Sequence, residues 1–232
     1  MTDPALATLF LAYDQISREI GDEGGRDIVF LNALPGDWPA GLRARPPVCY
    51  QPRVTHYRDN WLKRPEDLPG EEFECCLILG TKNRTETRAL VGAGLERLKT
   101  GGLLITAAAN DAGGKSLPKI FKTLGLETQS LSKNKSRAVV VRKDRALDPD
   151  LVARWTRDLY PQKHPETGYW TCPGLFGWDK TDPGSNLLAR HLPRKMPGQV
   201  ADFGCGYGFL LDKMNGADKI HALDVDIRAL EC

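Results

Sequence analysis

The 232 residues carry 27% charged and 41% hydrophobic side chains with a formal net charge of +2, the balance of a globular protein rather than a disordered or fibrous one. No stretch is apolar for long enough to span a bilayer, and the opening MTDPALATLF lacks the basic start and small-residue cleavage site of a secretory signal, so a cytoplasmic protein without a membrane partner is expected. The length suits one large domain, or one complete domain and part of a second.

Asp3-Pro4 places a capping carboxylate before a proline at the first helical position, and Leu6, Leu9, Phe10, Tyr13 and Ile16 then recur at helical spacing, predicting an amphipathic helix up to Gly21. DIVFLNA (27–33) is an apolar run ending at the Pro35-Gly36 breaker and predicts a buried strand. Residues 35–70 are rich in proline and give no assignment. FECCLIL (73–79) predicts the next strand, and Asn83 with Glu86 forms a capping pair for a helix carrying Leu90, Val91, Leu95 and Leu98 and closed by Gly101-Gly102.

LLITAAA (103–109) is a further buried strand, and a second helix is expected from about Ser116 to Leu124, ahead of Gly125. LETQS (126–130) and RAVVVR (137–142) lie close enough to pair as a hairpin. Strands alternating with helices predict a mostly parallel α/β sheet, and the closing hairpin adds one antiparallel strand. Asp148-Pro149 starts a short helix with Leu151, Val152 and Trp155 on one face, and the polar stretch around 161–168 marks a link, so domains are expected at 1–160 and 161–232. Beyond it, Asp182-Pro183 caps a helix bearing Leu187 and Leu188, QVADF (199–203) and KIHALD (219–224) are strands, and another helix begins near Ile227. The second domain is therefore expected to be incomplete, with residues 195–232 partly disordered or paired with another chain, because a broken parallel sheet exposes an edge and an apolar face.

The strongest chemical signal is VADFGCGYG (200–208), a strand ending in Asp202 followed by Gly204, Cys205, Gly206 and Gly208, with Asp224 at the tip of the next strand. Glycines there permit positive φ and close backbone approach to a ligand, and a carboxylate at the neighbouring strand tip accepts both hydroxyls of a ribose. A dinucleotide loop requires G-x-G-x-x-G, but Phe209 stands where the third glycine would fall. S-adenosylmethionine has no pyrophosphate to place on a helix N-terminus and fits this loop better than a dinucleotide or a purely structural turn. Cys205 is read as a small residue that fits the loop.

TCPGLFGWDKTDPGSNLLARHLP (171–193) followed by VADFGCGYG is similar to the opening of the catalytic domain in the ribosomal RNA small-subunit methyltransferase C family. Its P-G-x-F segment reads Pro173-Gly174-Leu175-Phe176 here, and its D-x-G-[ST]-x-x-L-L segment reads Asp182 to Leu188. The resemblance implies a Rossmann-like class I methyltransferase fold in duplicate: a degenerate N-terminal copy, its second half similar over residues 80–121 and 131–137, and the start of a catalytic copy. It implies S-adenosylmethionine as cofactor, guanine N2 in ribosomal RNA as acceptor, and the small ribosomal subunit as partner. It places Asp182 beside the methionine end of the cofactor, although a helix cap alone also explains that residue, and Phe176 near the site.

The family's N-P-P-[FY] tetrapeptide, whose asparagine and prolyl carbonyl would orient the target amine, occurs nowhere in the 232 residues, so no catalytic residue is assigned and the chain alone is expected to be inactive. In the N-terminal copy, Leu34-Pro35-Gly36-Asp37 replaces the glycine loop and Gly80-Thr81-Lys82-Asn83-Arg84 the tetrapeptide, predicting a domain that binds no cofactor. Relatives with the same motif methylate DNA adenine or a protein glutamine, and a non-catalytic RNA-binding module of the same fold is the rival of another class.

The basic cluster Lys133, Lys135, Arg137, Arg142, Lys143 and Arg145 is either a solvated strand pair or a phosphate-contacting face. The six cysteines form no C-x-x-C pair and are read as reduced thiols; Cys75 and Cys76 would point to opposite sheet faces. His56, His164, His191 and His221 lack metal spacing, and the five tryptophans are assigned to packing.

Overall fold

The computed structural model describes residues 3–20, 27–56, 58–70 and 73–232. They divide into two units, Met1–Gln51 with His56–Leu159, and Pro52–Thr55 with Tyr160–Cys232. In the first unit, the Asp3 carboxylate accepts the Ala5 and Leu6 N–H groups at 2.8 and 2.9 Å, satisfying two of the donors that every helix start leaves orphaned. Helix α1 (Pro4–Glu19) follows, with Leu6, Leu9, Phe10, Tyr13 and Ile16 buried as the periodicity requires. Gly21, its expected end, lies outside the described residues.

Strand β1 (Ile28–Leu31), helix α2 (Ala40–Ala44), strand β2 (Val48–Tyr50), strand β3 (Phe73–Leu79), helix α3 (Arg84–Arg97) and strand β4 (Leu98–Ala109) follow in order. Helix α4 (Leu117–Thr123), the hairpin of β5 (Gln129–Lys133) and β6 (Ser136–Arg142), and helix α5 (Pro149–Arg157) complete the unit. The sheet order is β2-β1-β3-β4-β6-β5, parallel throughout except for β6, which runs antiparallel to both neighbours. β1, and β3 from Cys75 to Leu79, are apolar on both faces because both faces are covered there. Cys75 joins the core beneath α1 with Phe10, Phe30 and Leu77. Cys76 faces α3, where a Cβ on Gly94 would meet its Sγ at 2.6 Å.

The structure departs from the sequence reading at several points. The proline-rich 35–70 holds α2 and β2, too short for a periodicity to register. Strand β5 starts three residues later than LETQS, because Gly125 (φ +67°) and the Leu126 N–H on Phe121 O at 3.1 Å keep this segment tied to the end of α4. The hairpin turns at Asn134-Lys135, both at positive φ as a tight two-residue turn demands. Helix α3 ends at Arg97 rather than at Gly101-Gly102, since the Lys143 ammonium donates to the carbonyls of Leu95 and Leu98 at 2.9 and 2.6 Å and completes the helix end. Asn83 caps α3 as expected, its Oδ1 accepting the Thr85 and Glu86 N–H groups at 3.0 Å, and its own N–H donates to Thr81 Oγ1 at 3.2 Å.

In the second unit, β7 (Gln162–Lys163) and β8 (Trp170–Thr171) form a small antiparallel pair, helix α6 (Pro183–His191) follows, and β9 (Gln199–Phe203) pairs in parallel with β10 (Lys219–Leu223). The segment near Ile227 is a 3-10 stretch, Ile227–Glu231, rather than an α-helix. Asp182 Oδ2 accepts the Ser185 N–H at 2.7 Å and caps α6, which leaves Leu187 and Leu188 exposed. Phe203 and its partner Leu223 on one face of the two-stranded sheet, and Ile220 on the other, are exposed as well, the uncovered apolar surface that so narrow a sheet entails.

Candidate functional site

The chain leaves β9 through a turn shaped by glycine. Gly204, Gly206 and Gly208 have φ of +82°, +51° and +84°, conformations that cost an L-residue about 1–2 kcal/mol. The Gly204 and Cys205 N–H groups both donate to Leu223 O, at 2.7 and 3.0 Å, which folds the turn across the end of β10. There the Gly206 N–H reaches Asp224 Oδ2 at 2.8 Å, and the Asp226 N–H reaches Asp224 Oδ1 at 2.9 Å. An ionised carboxylate offers about four lone-pair sites, so each oxygen retains acceptor capacity for a ligand hydroxyl. A Cβ on Gly204 would meet nothing within 4 Å, and one on Gly206 only Phe176 O at 4.0 Å: the backbone presents a bare face.

That face opens on a cavity of about 240 Å³. Asp182, Gly204, Cys205, Gly206 and Asp224 line it, as does Phe176, whose ring is otherwise exposed. Asp182 is thus both a helix cap and a wall residue. Asp202 and Gly208 are not in the wall. Asp202 lies in β9, buried, with Oδ2 lacking a hydrogen-bond partner among the described residues.

The structure adds residues that the motif did not flag. Tyr207, inside the glycine turn, is buried against Cys172 and Leu175 and stacks at a tilt on Tyr169 with ring centroids 5.5 Å apart. Arg228 is 1% exposed; its guanidinium grips Asp226 at 2.9 and 2.6 Å and points Nη1 at Pro173 O, 3.5 Å away. The ion pair thereby ties the Pro173-Gly174 segment to the loop after β10. Arg53, from the short segment 52–55, also lines the cavity. The nearest sequence signal was the pair Asp226 and Arg228 just past Asp224; nothing in the sequence marked Arg53.

Charge follows from these contacts. Burial, then the neighbouring Asp224 carboxylate, raises the Asp202 carboxyl above its ordinary value. Burial acts the same way on Asp226, but the hydrogen bonds and charge of Arg228, with Arg53, outweigh it and hold that carboxyl below the usual range. Burial and the Asp224 and Asp202 carboxylates raise the Cys205 thiol, which makes it a packing residue rather than a nucleophile.

The first unit has the same strand–crossover–strand arrangement with a different ending. Asn32, at φ +54°, follows β1, and Gln51 follows β2, the position that Asp224 holds after β10. Gln51 Nε2 donates to Asn32 Oδ1 and Ala33 O at 3.1 and 2.8 Å, and Asn32 Nδ2 donates to Leu79 O at 2.7 Å. Both side chains are buried, so polar groups bonded to one another fill the crevice between these strand tips.

The other sequence features resolve into packing. Lys143 caps α3, Arg142 donates to Gly101 O, Arg145 pairs with Asp144 and Arg137 Nε donates to Ser132 Oγ at 3.3 Å, so four of the six residues of the basic cluster are engaged within the unit. Lys133 and Lys135 are exposed. All six cysteines are free thiols, and burial pushes Cys49 up to about 12. Among the described residues, no cluster of metal-ligating side chains occurs and no helix is long and apolar enough to cross a membrane.

The profile of the Methyltransferase small domain family matches residues 166–232. The chain is 27% identical over 160 residues to the ribosomal RNA small subunit methyltransferase C of Psychromonas ingrahamii, covering 67% of this chain and 44% of that protein. It is 30% identical over 167 residues to the protein of the same name from Shewanella halifaxensis, covering 70% and 49%. The chain therefore spans about half the length of the curated relatives it matches. Among solved structures, a T. thermophilus 16S rRNA N2 methyltransferase in complex with AdoMet and guanosine superimposes with a TM-score of 0.68 at 18% identity, over 99% of this chain and 64% of that one. That likeness establishes the fold as the Rossmann-like one of class I methyltransferases. By sequence the chain is thus similar, over about half of their length, to ribosomal RNA small subunit methyltransferase C proteins, and its fold agrees with that likeness.

Proposed function

We propose that the second unit binds S-adenosylmethionine through Asp182, the Gly204-Cys205-Gly206 turn and Asp224, with Asp202 and Gly208 shaping the turn from behind. The whole protein would transfer a methyl group to guanine N2 of small-subunit ribosomal RNA. The observation that carries this reading is the Gly206 N–H on Asp224: one hydrogen bond joins the bare glycine face to an acceptor at the neighbouring strand tip, the pair of features a nucleoside requires. After Gly208 comes only a three-residue 3-10 turn, Leu211–Lys213, and not the α-helix N-terminus that would seat a dinucleotide's pyrophosphate. When bound, S-adenosylmethionine supplies a methyl group already activated by its sulfonium, so the protein's task is to align donor and acceptor and exclude water. In this chain Asp224 and the glycine turn hold the donor; Arg228, through Asp226 and Pro173, fixes the loop that carries Phe176 over it.

The first unit, in this reading, binds no cofactor, supported by the Asn32–Gln51 network in its crevice. It would contact ribosomal RNA. A second cavity, of about 350 Å³, lies at the carboxyl ends of β3 and β4 and is lined by Arg84, Arg88, Lys119 and Ser116, donors suited to phosphate. Titrating the chain with S-adenosylmethionine and with a structured RNA at two salt concentrations tests the proposal. Saturable, salt-insensitive cofactor binding beside RNA binding that weakens steeply with salt is expected. RNA binding without any cofactor binding would instead favour a non-catalytic RNA-binding module.

A further inference from the structure

We infer that Arg53 is a cofactor-binding residue, placed against the adenine end of S-adenosylmethionine. The inference rests on the reading of the 240 Å³ cavity as the seat of that nucleoside. Arg53 lies far from the glycine turn in sequence and brings the first half of the chain's own residues into the site.

Its backbone is fixed on both sides. The Val54 N–H donates to Val225 O at 2.8 Å, the Ile227 N–H donates to Pro52 O at 3.0 Å, and Arg53 bridges antiparallel to Asp226. Residues 52–55 thus form one more extended rung beside the loop that follows β10. The Arg53 side chain is 23% exposed, with Nε 3.5 Å from Asp226 Oδ2, while the other contacts of that carboxylate go to the buried Arg228. The wall carries three carboxylates, Asp182, Asp224 and Asp226, and among the described residues lining it Arg53 is the one cation.

Direction follows from how Asp224 is held. Its Oδ2 takes the Gly206 N–H on the side of the glycine turn, and its Oδ1 takes the Asp226 N–H on the side of Arg53. With the Gly206 and Asp226 contacts on either side of this carboxylate, a ribose held there would place its sulfonium arm along the turn and its base toward Val225 and Arg53. Adenine offers ring-nitrogen acceptors and a flat face. A guanidinium offers only donors, and a flat face of its own, so it serves either edge or plane. The Asp226 pairing holds it in place.

The test compares dissociation constants of S-adenosylhomocysteine and of adenosine for the wild-type chain, Arg53→Gln and Arg53→Lys, beside the melting temperature of each ligand-free protein. Arg53→Gln is expected to weaken both ligands by the same factor, about tenfold, the scale of one charge-assisted hydrogen bond, with ligand-free melting lowered only slightly by loss of the Asp226 contact. Arg53→Lys keeps the charge beside Asp226 but loses the planar fork, so it recovers less than half of the loss; it also carries the test should Arg53→Gln fail to fold. Dissociation constants within twofold of wild type in both variants would overturn the inference. So would a loss confined to S-adenosylhomocysteine, which would move Arg53 to the amino-acid end. A wild-type chain that binds neither ligand would refute the cofactor reading itself, a result distinct from either.

Discussion

Replacing Asp224 with asparagine tests the site at its centre. The wild-type carboxylate accepts two backbone N–H groups, from Gly206 at 2.8 Å and from Asp226 at 2.9 Å. An amide has one acceptor oxygen and a donor NH2, so whichever way it turns, a donor faces one of these N–H groups. One ligand hydroxyl loses a charged acceptor at the same time. A hydrogen bond to a charged group contributes about 1.5–3 kcal/mol, which at 1.4 kcal/mol per decade is roughly a tenfold to hundredfold change in Kd. Loosening of the turn adds to it, so the upper end, about a hundredfold weaker binding of S-adenosylhomocysteine by calorimetry, is expected. Asp218 is the control: its Oδ2 accepts the Gly198 N–H at 3.1 Å at the opposite end of the same strand pair, and Asp218→Asn should leave Kd unchanged. A Kd for Asp224→Asn within threefold of wild type would refute the assignment of the ribose to this carboxylate.

Two further predictions concern stability. A Cβ on Gly114 would lie 2.4 Å from Ala108 O and 2.9 Å from Ala109 O, backbone atoms that cannot swing aside; Gly114→Ala is expected to cost about 2 kcal/mol, seen as a melting temperature lower by about 4–8 °C, and equal melting would contradict it. Asp202 is buried with an unpartnered oxygen, and its carboxyl is raised by burial and by Asp224. A raised folded-state value means stability is lost as pH climbs from the ordinary 3.8 through that raised value, so at pH 7 Asp202→Asn should melt about 2–4 °C higher, the effect of roughly 1 kcal/mol. The advantage should vanish below the ordinary carboxylate value, where both proteins carry a neutral side chain; coincident melting at pH 7 would refute the charge argument.

The elements legible in the sequence are those in which one local cause dominates. Asp3-Pro4, Asp148-Pro149 and Asp182-Pro183 each cap a helix with the carboxylate on an N–H of the first turn, because a cap needs only residues already adjacent in the chain. The buried strand β1 and, from Cys75 on, β3 showed as apolar runs, since coverage on both faces leaves no polar position there. What stayed hidden depends on distant partners. The end of α3 is set by Lys143, nearly fifty residues on, while Gly101-Gly102, which looked like the stop, lies inside β4. Arg53 was invisible for the same reason, as its neighbours Val225 and Asp226 are supplied by the far end of the chain.

The glycine turn was legible because positive φ at three alternate positions leaves a compositional mark, but whether a cavity opens beside it depends on the residue at the next strand tip. Asp224 and Gln51 occupy that position in the two units. A carboxylate has no donor, so it can only attract N–H groups; it draws the glycine backbone across the strand ends and keeps lone pairs facing outward. An amide has donors as well. Gln51 spends its Nε2 on Asn32 and Ala33, Asn32 spends its own on Leu79, and the three strand tips close on one another. Reversing that choice alone should not open the first unit, because a carboxylate at position 51 would face the Ala33 carbonyl at the place where the Nε2 donor now sits 2.8 Å away, acceptor against acceptor, with Leu34-Pro35 in place of a glycine turn to offer it N–H groups. An open cofactor site thus requires the acidic tip and the glycine turn together.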